Sequence, residues 1–435
     1  MKQILVAICV TILTSLYFFP FESALLPAVN TKMALAAFAI VLYILISAKR
    51  RYARLGHDMI VMSLCAFFVS LFGYISTVIN NTSDYTYATY FISMWVWLGG
   101  AYVVIKTMGW AYGRVTIRMV GNFLIAVCVA QCIIAQLIDS FEGIASFVDG
   151  FMVSTGFMGK HESRLYGIGC ALDVAGLRFC TVLLMNAYFL VTPQTKERRW
   201  LERGIYMLSF VIIAVFGSMI ARTTNVGIVL SIVLWITYLC INSNNEEART
   251  NVFAVFKAMA IVLLLAIPIL VYCYNTDPDF QYKVRFAFEG FFSLYEKGEW
   301  DVGSNSRLEK MFIWPDNTRG WLIGDGYFST PQDDFYYLGP IYDYYKGTDV
   351  GYSRFVFYFG LLGLFAFSMV FIASAILCSK KNPKYVLLFW MIALVNFIGW
   401  IKVSTDIFLV FALFLCVPQE ENEKNENSLH DSLTV

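Results

Sequence analysis

The chain has 435 residues, 59% of them hydrophobic and only 14% charged, and its mean hydropathy is +0.64. Soluble domains carry about 25% charged residues, so this composition excludes a soluble globular enzyme and describes an integral membrane protein. A net charge of +1 leaves no global field to attract nucleic acid, and His57, His161 and His430 are too scattered to form a metal site.

A helix needs about 20 apolar residues to cross the hydrocarbon core. At that length the chain predicts an all-α polytopic membrane protein of about twelve spans. They lie near 4–20, 33–48, 59–79, 89–105, 119–138, 175–192, 204–221, 225–242, 253–274, 352–378, 385–402 and 404–417. The first follows a lone Lys2 with no small-residue cleavage site after it, so it reads as a retained helix. The last is short enough to be tilted or re-entrant. Most of the ten cysteines sit inside apolar runs, where Cys behaves as a small hydrophobe; only Cys170 and Cys273 lie near the predicted outer side.

Lys and Arg sort the connections into two sets. Lys49, Arg50, Arg51 and Arg54; Lys106, Arg114 and Arg118; Lys196, Arg198, Arg199 and Arg203; and Lys380, Lys381 and Lys384 mark one side as cytoplasmic. The alternating connections at 21–32, 80–88 and near Lys402 are nearly free of base. Both termini then fall on the cytoplasmic side. Residues 1–274 hold nine helices and an outer loop at about 139–174, 275–351 form a large outer loop, 352–417 hold three helices, and 418–435 form a polar tail. The large loop opens on the turn Asp277-Pro278-Asp279, and its stretch Gln281–Lys297 has the apolar spacing of a helix lying on the membrane surface. No internal repeat is evident.

Five arginines fall on the outer side, against the topological bias: Arg164, Arg178, Arg222, Arg307 and Arg354. Arg holds phosphate with paired N–H donors, and a lipid diphosphate headgroup would lie at this depth. An Arg at a helix end can also snorkel to the headgroups with no specific role. Arg222 occupies a very short turn flanked by Gly217 and Gly227, and Arg178 lies just inside a span, where an unpaired Arg costs roughly 3 kcal/mol. Asp349, just before the tenth span and five residues before Arg354, is a candidate general base or a helix cap. Asp173, near Arg178, reads as an ion-pair partner. Tyrosines crowd 327–352, among them Tyr336, Tyr337, Tyr342, Tyr344, Tyr345 and Tyr352. They suit sugar stacking or an aromatic belt.

Several local strings carry a resemblance. Ala221-Arg222-Thr223-Thr224-Asn225-Val226-Gly227 is similar to the Arg-containing turn of the O-antigen polymerase/ligase superfamily. Ser306-Arg307 followed by Gly324-Asp325-Gly326-Tyr327 resembles its Arg and Gly-x-Gly run. Thr348-Asp349-Val350-Gly351-Tyr352-Ser353-Arg354, leading to Phe359-Gly360-Leu361-Leu362-Gly363, is similar to its next segment. With the twelve-helix plan and late outer loop, the chain resembles the O-antigen or capsule repeat-unit polymerases, the Wzy group, over most of 160–365. Ligases of that superfamily carry a His at the place that Asp349 holds here, which favours the polymerase over the ligase.

The resemblance implies a C-type glycosyltransferase-like fold in the bacterial inner membrane, with the large loop in the periplasm. It implies metal-independent, inverting transfer of a glycan from undecaprenyl pyrophosphate, without a cofactor and with a chain-length regulator protein as a partner. On this expectation Asp349 is the base, Arg222 and Arg307 hold the pyrophosphate, and Arg178, Arg354 and Tyr352 support them. Arg164 holds the second lipid headgroup. A lipid-linked oligosaccharide flippase and an O-antigen ligase are the competing readings.

Overall fold

A computed structural model describes residues 2–49, 56–153, 164–193, 199–330 and 344–419. Asp333, Asp334, Tyr336, Tyr337, Tyr342, Asp343 and nearly all of the polar tail lie outside them. Long apolar helices dominate the described residues: α1 (Lys2–Phe18), α2 (Thr31–Lys49), α3 (His57–Asn80), α4 (Tyr90–Tyr112) and α5 (Ile117–Ser140). After a short α6 (Glu142–Phe151) come α7 (Leu172–Val191), α8 (Arg199–Ile220), α9 (Thr224–Ile241) and α10 (Glu246–Thr276). Four small helices follow, α11 (Pro278–Ala287), α12 (Glu289–Lys297), α13 (Gly303–Lys310) and α14 (Thr318–Leu322). The chain closes with α15 (Gly351–Lys381), α16 (Val386–Gly399) and α17 (Phe408–Cys416).

Eight of these helices, α3–α5, α7–α10 and α15, are long and apolar enough to cross a membrane. The chain is therefore an all-helical, multi-pass membrane protein. The segments expected near 4–20, 33–48, 385–402 and 404–417 form the shorter apolar helices α1, α2, α16 and α17. All ten cysteines are free.

The core is organised around α7. Its most apolar window is 94% buried, with α5, α8, α9 and α16 packed on it. Gly227 of α9 brings the two backbones together: a Cβ there would come within 2.6 Å of the Cys180 Cα. Small residues permit such approach where apolar attraction between helices is no better than attraction to lipid. At the other extreme α10 has only 6% of its window buried and turns Leu264, Leu265, Ile269 and Tyr272 outward.

Six connections meet at one end of the bundle. Ser23 bridges to Met152, the Leu165 N–H donates to the Met219 carbonyl at 3.2 Å, and Lys402 pairs with Asp173 at 2.9 Å. The Phe328 N–H donates to Asp84 Oδ2 at 2.8 Å, and Lys283 pairs with Asp139. The opposite end carries its own ties. Arg118 pairs with Glu202 at 2.7 Å, and Lys381 Nζ donates to the Leu415 carbonyl at 2.9 Å.

Two local expectations need correction. The surface helix expected over 281–297 is two helices divided at Phe288, because Asn225 Nδ2 takes the Ala287 carbonyl at 2.9 Å and Arg222 takes the Glu289 carboxylate. The tenth span is broken at Gly360, which has φ +66° and ψ −171°, a region essentially reserved for glycine. The end of α14 lies directly against the break, so a Cβ on Gly360 would come within 2.2 Å of the Leu322 carbonyl carbon. The Tyr358 carbonyl freed by the break accepts from the Gly326 N–H at 3.2 Å and from Ser76 Oγ at 2.7 Å.

Candidate functional site

The charged residues at the shared end form three stations. In the first, Arg222 projects from the three-residue turn between α8 and α9 and pairs with Glu289 of α12. Its guanidinium lies over the Phe286 ring at 4.1 Å, and that of Arg164 lies over the same ring at 4.9 Å. Burial holds Arg164 below the usual arginine range, and the Arg222 charge pushes the same way. Glu289 Oε1 also accepts the Gly303 N–H at 3.3 Å, which ties the start of α13 to this station. Arg307, one turn along α13, is exposed and bonds to no described residue.

The second station surrounds Arg178. Its side chain enters the bundle from the first turns of α7 and is only 7% exposed. It lies over the Phe19 ring at 5.5 Å, its Nε has no hydrogen-bond partner, and no ion pair reaches it among the described residues. Asp173 was the expected partner. It bonds Lys402 at 2.9 Å and Thr223 Oγ1 at 3.1 Å instead, because the α16–α17 connection brings the Lys402 ammonium to it.

The third station holds Arg354, 5% exposed. Its guanidinium is sandwiched between Phe328 at 3.7 Å and Tyr344 at 3.9 Å. It donates to the Phe328 carbonyl at 3.0 Å and to Ser404 Oγ. Asp84 accepts the Phe328 and Ser329 N–H groups at 2.8 and 3.1 Å. Asp349 is exposed and within electrostatic reach of Arg354. Tyr352, expected to face substrate, donates its hydroxyl to the Phe397 carbonyl at 2.9 Å and packs edge-on to Trp400.

The connection 402–406 joins the stations. Lys402 bonds Asp173, Ser404 accepts from Arg354, and Asp406 lies within electrostatic reach of Arg178 and Lys32. Sequence reasoning passed over this connection as nearly free of base, and passed over Lys32, Asp84, Glu289 and Asp406. A signal was present for Asp406, an ionisable residue inside the predicted apolar segment 404–417.

Availability separates the five arginines. Among the described residues neither the Arg178 nor the Arg307 side chain has a bonded partner. Among the described residues Arg164 has an aromatic face and no side-chain bond. Arg222 has one half-exposed ion pair, an interaction worth about 0–1 kcal/mol, which a doubly charged phosphate group would readily displace. Arg354 is committed to its rings and acceptors. Four guanidinium groups at one end of a membrane bundle can therefore meet an anion. No known protein-family model matches the chain, and no curated protein matches it.

Proposed function

We propose that this protein polymerises undecaprenyl-pyrophosphate-linked oligosaccharide repeat units by inverting glycosyl transfer at the extracytoplasmic face of the bacterial inner membrane. The observation that carries the reading is the gathering of Arg164, Arg178 and Arg222 at one end of the bundle, with Arg178 buried and unbonded. Transfer from a lipid diphosphate leaves negative charge on the departing phosphate. Cations fixed beside a low-dielectric interior stabilise that charge more than water does. In this reading the eight long spans together with the shorter apolar helices α1, α2, α16 and α17 make twelve crossings, with both termini in the cytoplasm; the eight long apolar helices support the multi-pass part of it. In this scheme Arg222 and Arg307 grip the pyrophosphate with Arg178, Arg164 holds the second lipid headgroup, and Asp349 is a carboxylate able to take the acceptor proton. Arg354 and Tyr352 position the segment that carries them.

A flippase would need charged groups along the whole transmembrane path; the stations described here all lie at one end. The test is polymer length in cells expressing Arg222→Ala or Arg307→Ala at normal protein level. Long chains should disappear and single-repeat products accumulate. Long chains from both variants would overturn the phosphate clamp, and accumulation of an unflipped cytoplasmic precursor in cells lacking the protein would favour the flippase.

A further inference from the structure

Arg178 does not stand alone. Tyr17 and Phe19 at the end of α1, Lys32 at the start of α2, Trp97 of α4 and Asp406 before α17 surround the same space. Lys32 Nζ lies over the Trp97 ring at 4.6 Å, and Tyr17 packs edge-on to Trp97 at 5.6 Å. Tyr17 is held in place by its hydroxyl, which donates to the Leu409 carbonyl at 2.8 Å. Asp406 Oδ1 accepts the Phe408 N–H at 2.9 Å and so caps α17, while Oδ2 bonds to no described residue. Asp406 is within electrostatic reach of both Lys32 and Arg178. Yet no hydrogen bond or ion pair joins any two of these three among the described residues. Two cations and a carboxylate therefore lie within electrostatic reach of one another with no direct bond among them, an arrangement that a ligand carrying both an anion and a hydroxyl would complete. Buried charges are otherwise paired directly, because an unpaired one is costly.

We infer that this cluster lines the reaction chamber, and that Asp406 is the group that takes the proton from the acceptor hydroxyl. The inference rests on the polymerase reading and deepens it. The acceptor hydroxyl oxygen bonds to the anomeric carbon of the donor glycan. The bond from that carbon to the phosphate oxygen breaks, and its electron pair leaves with the diphosphate toward Arg178 and Lys32. The hydroxyl proton passes to Asp406 Oδ2. The faces of Trp97 and Tyr17 suit the apolar face of a sugar ring. Asp349, by contrast, is exposed beside an arginine that is already committed.

Asn at 406 keeps an oxygen to cap α17 and removes only the proton acceptor, so Asp406→Asn separates chemistry from folding. The full-length protein is reconstituted in lipid nanodiscs with a synthetic undecaprenyl-diphosphate-linked repeat unit, and binding of undecaprenyl diphosphate is measured in parallel. Asp406→Asn should slow extension by about a hundredfold or more with the affinity for undecaprenyl diphosphate retained, and Asp406→Glu should recover part of the rate. Lys32→Met should instead weaken that affinity, by about tenfold for one lost charge-assisted contact. Extension by Asp406→Asn at the wild-type rate, or a loss confined to Asp349→Asn, overturns the assignment and leaves the polymerase reading standing. A wild-type protein that neither binds undecaprenyl diphosphate nor extends the repeat unit overturns both.

Discussion

Arg178 and Arg354 are buried to nearly the same degree, 7% and 5% exposed, at the same end of the same bundle. Their surroundings differ in kind. Arg354 has two aromatic faces, a carbonyl and a hydroxyl, and the loop it holds is tied again through Asp84, Asn80 and Thr82. The Nε of both is unpartnered, but Arg178 has one distant ring and no side-chain bond to any described residue. Burial alone does not separate a structural cation from a binding one; the number of satisfied donors does. One region uses its arginine to close a fold, and the other keeps its arginine open.

The sharpest way to break that contrast is to open the closed region. Gly360 takes a backbone conformation that other residues avoid, and the Leu322 carbonyl carbon stands 2.2 Å from where its Cβ would be. Gly324 answers from the other side, its own Cβ position 2.6 Å from the Tyr358 carbonyl carbon. Gly360→Ala must therefore displace α14 or unwind the break. The expected cost exceeds about 4 kcal/mol, seen as loss of monodisperse protein on extraction. A Gly360→Ala protein with unchanged thermal stability would show that the interlock is not what holds the Arg354 region together.

Replacing each arginine by methionine sharpens the contrast directly. Arg354→Met strands the Phe328 carbonyl and the Ser404 hydroxyl and removes two cation–π contacts, which should cost about 2–4 kcal/mol. Arg178→Met removes a charge with no bonded partner and puts an apolar chain of similar length in its place. It should be neutral or stabilising, by up to about 3 kcal/mol, while abolishing lipid diphosphate binding. Apparent melting temperatures of the two purified variants should move in opposite directions. A fall of equal size for both would mean that Arg178 has a structural role like that of Arg354.

The two regions were not equally legible in the sequence. Apolar length located the long helices well, because the thickness of the bilayer sets a minimum apolar length for a span. The arginines were visible because charge at a membrane face stands out against an apolar chain. Their partners were not visible. Arg354 and Phe328 are 26 residues apart, and Arg222 and Glu289 are 67 apart. No local pattern reports a contact made by folding a long loop back over a bundle. The division of 281–297 at Phe288 was hidden for the same reason: Asn225, on another element, captures the carbonyl that a continuous helix would have used. Asp406 escaped notice because the run that follows it, Ile407 to Cys416, is uniformly apolar, which made 404–417 read as one membrane segment.

The smallest effect tests whether the closed region is dry as well as tight. Asp325 lies in the loop at the α15 break, where its Oδ2 accepts the Tyr345 hydroxyl at 3.1 Å. Burial pushes its carboxyl above the ordinary value of 3.8, against the opposing pull of that hydrogen bond. A carboxyl whose folded value is raised binds its proton more tightly in the folded state, so stability rises as the pH falls from neutral through the raised value. Asn at this position keeps an oxygen for Tyr345 and never ionises. Asp325→Asn should therefore melt about 1–2 °C above the parent at pH 7, and the gap should close as the pH approaches 4. A gap that widened on acidification would mean that Asp325 is held ionised by its neighbours and that the knot beneath Arg354 is open to water.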